Sequence, residues 1–197
     1  MVCRERVLLG ELCEPHVSVL IGKALQEERS GMYQVGELVV YGTEGVCRVA
    51  AIGPLEMRGA KRETDYYTMT PLYGTGKIFI PVDTGVSIRP VMTRAEAEAL
   101  IDRIPEIPEE IYENHNPRLL NEHYQTLLKS YDCVDLVRLI RAIYAKGQRG
   151  HRLGQVDERT FKKAEEMLHG ELAAALDMPL DQVKNYICRR MEELEQG

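Results

Sequence analysis

The segment GTGK at residues 74–77 sets two glycines before a lysine, a grouping that could cradle a phosphate between backbone N–H groups and an ammonium. Such a cradle needs GxxxxGK, then Ser or Thr, then a helix that presents its free N–H groups. Here Ile78 follows the lysine and the next residues read as a strand, so the phosphate-loop reading is rejected. His115 and His123 have no HExxH spacing and no carboxylate arranged around them, and read as surface or cap histidines rather than zinc ligands. Cys3, Cys13, Cys47, Cys133 and Cys188 form an odd set without a CxxC pair, which fits neither a disulfide framework nor a metal site. Cys133 and Cys188 read as small core residues. No catalytic residue, metal or cofactor is expected, which leaves binding as the chemistry of the chain.

The formal net charge of −6 excludes a protein that coats nucleic acid by bulk attraction, so any phosphate contact must come from a local patch. One such patch exists. Residues 138–163 carry Arg138, Arg141, Lys146, Arg149, Arg152, Arg159, Lys162 and Lys163 against Asp157 and Glu158, a net +6 within an acidic half. The glycine-punctuated stretch AKGQRGHRLGQ can lay Arg149, His151 and Arg152 along a phosphate backbone. Arg159, Lys162 and Lys163 share a helix face at spacings of three and four. The competing reading of each cation is a solvated charge that serves solubility alone.

Two kinds of element must position these residues. From Gln34 to Pro90 the segments ELVVY, GVCRVAAIG, TDYYTMT, GKIFIPV and GVSIRP are short, rich in β-branched and aromatic residues, and separated by glycines. Five strands in this length predict a small, strongly bent barrel with Val39, Val46, Val49, Ile52 and Tyr67 pointing inward. Its interior is consumed in making a core, so function falls to the outer face and edge. At Thr93 the pattern turns helical: TRAE is a capping box that opens a first helix. PEIPEE at residues 105–110 reads as a mobile linker, Asn116–Pro117 starts a second helix, and three more follow. The fold class is α+β: a small β-barrel over residues 32–92 followed by an all-helical domain over 93–197.

With 44% hydrophobic and 28% charged residues the chain is globular in composition, and no apolar run approaches the ~18 residues of a bilayer span. A reducing cytoplasm is the expected location, with no membrane contact. Residues 1–31 carry no turn chemistry tying them to the strands beyond Met32. Their end, EERS, can be encoded as a purine-rich ribosome-binding site ahead of that methionine. The expectation is an N-terminal extension produced by a mis-assigned start, with a helical extension as the alternative.

VGELVVYGTEGVCRVAAI, the YYTM strand, KIFIPVD and the later DERTFKKAEEMLHGELAAALDMP resemble the CarD family of bacterial transcription regulators, whose N-terminal module is shared with transcription-repair coupling factors. The resemblance runs from Met32 to about Ile187. It implies a Tudor-like (SH3-like) barrel that binds the β subunit of RNA polymerase, and a helical domain that contacts promoter DNA at the upstream edge of the bubble and stabilises the open complex. It implies strand addition at Lys77, Ile78, Phe79, Ile80 and Pro81, with Phe79 outward as an apolar anchor and Leu55 and Met57 completing the patch. The competing reading of Phe79 is a core aromatic.

Two departures from the family pattern stand out. Gly42 and Glu44 occupy a turn where relatives carry His and Pro. Relatives also insert a tryptophan into the minor groove, and this chain has no Trp. Tyr112 and His115 are the nearest flat side chains at the corresponding helix start, with Arg118 beside them for a phosphate. A monomer is expected. The alternative function is a non-catalytic interaction module with a repair or translation partner and no DNA contact.

Overall fold

Alternation of apolar side chains builds β1 (Leu38–Tyr41), β2 (Gly45–Pro54), β3 (Asp65–Pro71), β4 (Ile78–Pro81) and β5 (Ile88–Pro90). In this computed structural model, residues 33–55, 64–83, 88–150 and 152–196 are described. The segment 1–31, and with it the expected extension and second start, lies outside them, as do Met57 and His151. The strands are antiparallel in the order β4-β3-β2-β1-β5, so β4 and β5 are the edges among the described residues. A three-residue 3-10 turn, Gly42–Glu44, joins β1 to β2. Gly42 and Gly45 lie at φ 48° and 80°, a region that a Cβ disfavours.

Val39, Cys47, Val49, Tyr67, Met69 and Ile80 form the interior of the bent sheet. Val39 is paired with Cys47 and Val40 with Val46, so the latter two point to the opposite face. The expectation that Val46 faces the barrel interior is therefore corrected. A register shift between Val49 and Ala51 bends β2 and leaves Ile52 only partly buried. Tyr33 ties the sheet ends together: its N–H donates to the Tyr67 hydroxyl (2.9 Å) and its own hydroxyl donates to the Ile88 carbonyl (3.0 Å).

Five helices follow: α1 (Arg94–Arg103), α2 (Pro117–Leu128), α3 (Cys133–Gln148), α4 (Gln155–Leu176) and α5 (Leu180–Gln196). This confirms the α+β class, a Tudor-like sheet followed by helices. The predicted capping box is present, with Thr93 Oγ1 accepting from the Glu96 N–H (3.2 Å) and the Glu96 carboxylate accepting from the Thr93 N–H (2.7 Å). Asn116 caps α2 by accepting from the Arg118 N–H (2.9 Å), with Pro117 in the first turn. Ile101, Leu139, Ile143, Leu172 and Val183 are at most 1% exposed and come from four different helices. Cys188 is exposed, not in the core as its sequence context suggested.

The 105–110 segment is not a slack linker. Ile107 is 5% exposed and belongs to the helical core, and Glu109 pairs with Arg141 of α3 at 2.9 Å. Burying that apolar side chain holds the segment on the bundle. Barrel and helices form one compact unit from Tyr33 onward. Helix α4 is its spine, touching α1, α2, α3, α5 and β2. Gly170 of α4 admits the Tyr73 ring so closely that a Cβ there would lie 3.3 Å from it.

One polar cluster joins sheet to helices. Glu171 of α4, 2% exposed, receives both guanidinium Nη groups of Arg89 from β5, the Nη2 bond measuring 2.6 Å. It also accepts from the Met92 N–H (3.2 Å) and the Cys133 thiol (3.1 Å). Arg89 Nε donates to the carbonyl of Tyr131 (2.8 Å), which sits at φ 60°. Burial works against the Arg89 cation, but the bonds and charge of Glu171 outweigh it and raise its pKa.

Candidate functional site

Edge strand β4 pairs with β3 through Thr68↔Phe79 and Tyr67↔Ile80, and its other side has no strand partner among the described residues. Period two then sorts its side chains. Ile80 is 2% exposed and Ile78 packs on the same core, whereas Phe79 points out at 39% exposure. Lys77 is exposed and Pro81 half-buried. The Val82 N–H donates to the Asp65 carbonyl (2.9 Å), so by the antiparallel alternation Ile80 and Ile78 turn their main chain to β3, and Phe79 offers a partner both its main chain and its ring. Leu55 is half-buried just past the end of β2. Since Pro54 pairs with Asp65 and Phe79 with Thr68, Leu55 and Phe79 are offset by about four residues, roughly 13 Å along β3. The register does not bring them together.

The cationic segment divides by burial. Lys146, with 11% side-chain exposure, is sunk against Asp157 at 2%, its Nζ donating to both carboxylate oxygens at 2.9 Å. Asp157 also accepts from the Tyr124 hydroxyl (2.8 Å) and the Gly154 N–H (3.0 Å). Burial alone would push this carboxyl up, but these donors outweigh it and hold its pKa below the ordinary aspartate value. Arg138 pairs with Asp135 at 2.8 Å and Arg141 with Glu109. Lys146 and Arg141 are thus occupied within the fold, whereas Arg138, with 44% side-chain exposure, makes only a surface pair. Arg149, Arg152 and Arg159 are exposed and Lys163 half-exposed, with no acidic partner among the described residues, while Lys162 is 3.9 Å from Glu166. Arg149 caps the end of α3, and the tight turn at Gly150 (φ 80°) carries the chain round to Arg152 and α4.

Tyr112 is half-buried, stacked on His123 with ring centroids 3.9 Å apart and 22° between planes. Its hydroxyl accepts from Asn114 Nδ2 at 3.1 Å, so the ring is already held. His115 is exposed, and Arg118, with 85% side-chain exposure, meets Glu122 at 2.9 Å. An exposed pair of this kind contributes little, so Arg118 remains open to a phosphate.

Neither buried cysteine has the setting of a nucleophile. Burial first, then the charge of Glu44, pushes the Cys47 thiol up to about 11, and burial with Glu171 raises that of Cys133. No cluster of metal-ligating side chains occurs among the described residues. Within the same residues, no helix is long and apolar enough to cross a membrane.

Residues 33–92, the sheet and its exit to Met92, match the family model described as the CarD-like/TRCF RID domain. The matched stretch makes up less than a third of the chain. Domains of this family are non-catalytic modules that interact with RNA polymerase, which supports a transcription-associated, polymerase-binding role for this part of the chain. No curated protein matches the chain. The match covers the sheet, whose β4 edge has no second strand partner among the described residues, and stops where the helices begin.

Sequence reading missed the two buried carboxylates, Asp157 and Glu171. A signal existed for the second: Glu171 is the one carboxylate in LHGELAAAL, with Met167, Leu168, Ala174 and Ala175 at three and four residues on either side of it.

Proposed function

We propose that the RID domain binds the β subunit of RNA polymerase by adding a partner strand to the β4 edge. The helices then lie on promoter DNA at the upstream edge of the bubble and stabilise the open complex. Exposed Phe79, on a strand that is an edge among the described residues and lies inside the matched stretch, carries this reading. Main-chain bonds of β4 supply affinity, and the ring supplies specificity. Arg118, Arg149, Arg152, Arg159, Lys162 and Lys163 contact phosphates, and His115, the freer of the two candidate rings, meets the base step. The protein acts as a cytoplasmic monomer without cofactor or catalysis.

Phe79→Ala is expected to weaken binding to the isolated β lobe by about 2 kcal/mol, roughly 30-fold, the scale of an aromatic anchor at an interface centre. The fold should be unchanged, because the ring lies outside the core. Titration calorimetry with the lobe checks this, and undiminished affinity rules the edge out.

A second reading keeps the polymerase contact and drops the DNA. It is favoured by the stacking of Tyr112 on His123, which occupies one of the two wedge candidates. Binding to forked against fully paired DNA separates the readings: the regulator prefers the fork, and the interaction module binds neither.

A further inference from the structure

The barrel edge and the cationic helices would each bind weakly alone. Joining them multiplies affinity only if their spacing and angle match a partner that displays both targets. Several observations bear on that angle. Arg89 belongs to β5, directly paired with β1, while Glu171 belongs to α4, the helix that also bears Arg159, Lys162 and Lys163. Four donors from the sheet, the junction and the start of α3 converge on the one carboxylate. Arg89 also reaches Tyr131, a bulky residue held at positive φ in the α2–α3 turn. A planar fork bonded twice to a buried carboxylate fixes orientation as well as distance. A further contact, Tyr73 against Gly170, lies on the turn that leads into β4 and on the residue beside Glu171. Strand β5 and the turn before the edge strand are thus both tied to the cationic helix α4, at two adjacent residues.

We infer that Arg89 and Glu171 are positioning residues: they hold the β4 edge and the cationic face of α4 at one angle and make polymerase and DNA binding cooperative. This rests on the function proposed above. Neither residue need touch polymerase or DNA. Glu171 is buried, and Arg89 spends its donors on Glu171, Tyr131 and Pro90. A docked polymerase then presents the cations to the DNA at a set distance, and bound DNA favours the polymerase contact by the same factor.

The full chain and its Glu171→Gln and Glu171→Asp variants are titrated against the isolated β lobe, a short forked DNA, and a polymerase–promoter complex. The first substitution removes the charge, and the second keeps the charge but withdraws it by one methylene. Both variants are expected to bind lobe and fork as the parent does and to lose about tenfold or more on the full complex. A purely local packing role would leave that third affinity tracking the first two. Parent-like binding of the variants to the complex overturns the inference, whereas a parent that binds neither lobe nor fork overturns the underlying function instead. Amide relaxation of the parent supplies a check independent of the variants. One rotational correlation time for barrel and helices supports the clasp, and two separate times refute it.

Discussion

Asp157→Ala is expected to destabilise the protein by about 3–5 kcal/mol, the scale of a buried ion pair that loses one partner. The alanine would strand three groups at once: the Lys146 ammonium, the Tyr124 hydroxyl and the Gly154 N–H. Lys146→Met is expected to cost less, because Asp157 keeps two of its donors and the methionine fills the same space. Replacing both, with Met at 146 and Leu at 157, should recover much of the loss, since a pair of apolar residues leaves no charge unpaired. The pH dependence has a definite sign. The Asp157 carboxyl lies below its unfolded value, so its contribution is present above about 3.9, the unfolded aspartate pKa, and disappears as pH falls through the folded pKa. Urea unfolding at neutral pH and again near pH 3 measures both effects. The gap between parent and Asp157→Ala should shrink on acidification, and a gap under about 1 kcal/mol at neutral pH contradicts the assignment.

The same aspartate shows where sequence reasoning stopped. Thr93, Glu96, Asn116 and Pro117 were legible because a cap is a local event: spacing of one to three residues decides it, and the bonds form as expected. The strands were legible for a similar reason, and the exposure of Phe79 follows from period two once Ile80 is committed to the core. Counting charges cannot see burial. Lys146 entered the cationic patch on its formal charge, yet its ammonium is spent 11 residues along the chain on Asp157. Arg89 and Glu171 are 82 residues apart, and neither composition nor periodicity marks a pairing of that range. Val46 is apolar, which by itself points to the barrel interior. Its face follows from the Val40↔Val46 register, which sequence alone does not specify. The stacking of Tyr112 on His123 likewise needs the approach of two segments that no local rule brings together.

The division of the cations by partner leads to the other large expected effect. Arg149, Arg152, Arg159 and Lys163 lack acidic partners among the described residues, whereas Arg138 and Arg141 are tied to Asp135 and Glu109. Phosphate binding releases condensed counterions, and the plot of log K against log salt has a slope of about −0.9 per contact on duplex DNA. Replacing the four unpartnered residues by glutamine is therefore expected to flatten that slope by about 3.6 and to weaken binding by roughly 10³-fold at about 0.1 M salt. Replacing Arg141 removes one charge, yet should leave the slope nearly unchanged, because its guanidinium group is already engaged by Glu109. Fluorescence anisotropy with forked DNA over a range of salt concentrations reads both variants. Equal flattening per charge removed would mean that only total charge attracts the DNA. A quadruple variant with the parent slope would mean that the helices do not lie on phosphate at all, leaving the polymerase contact as the whole of the function.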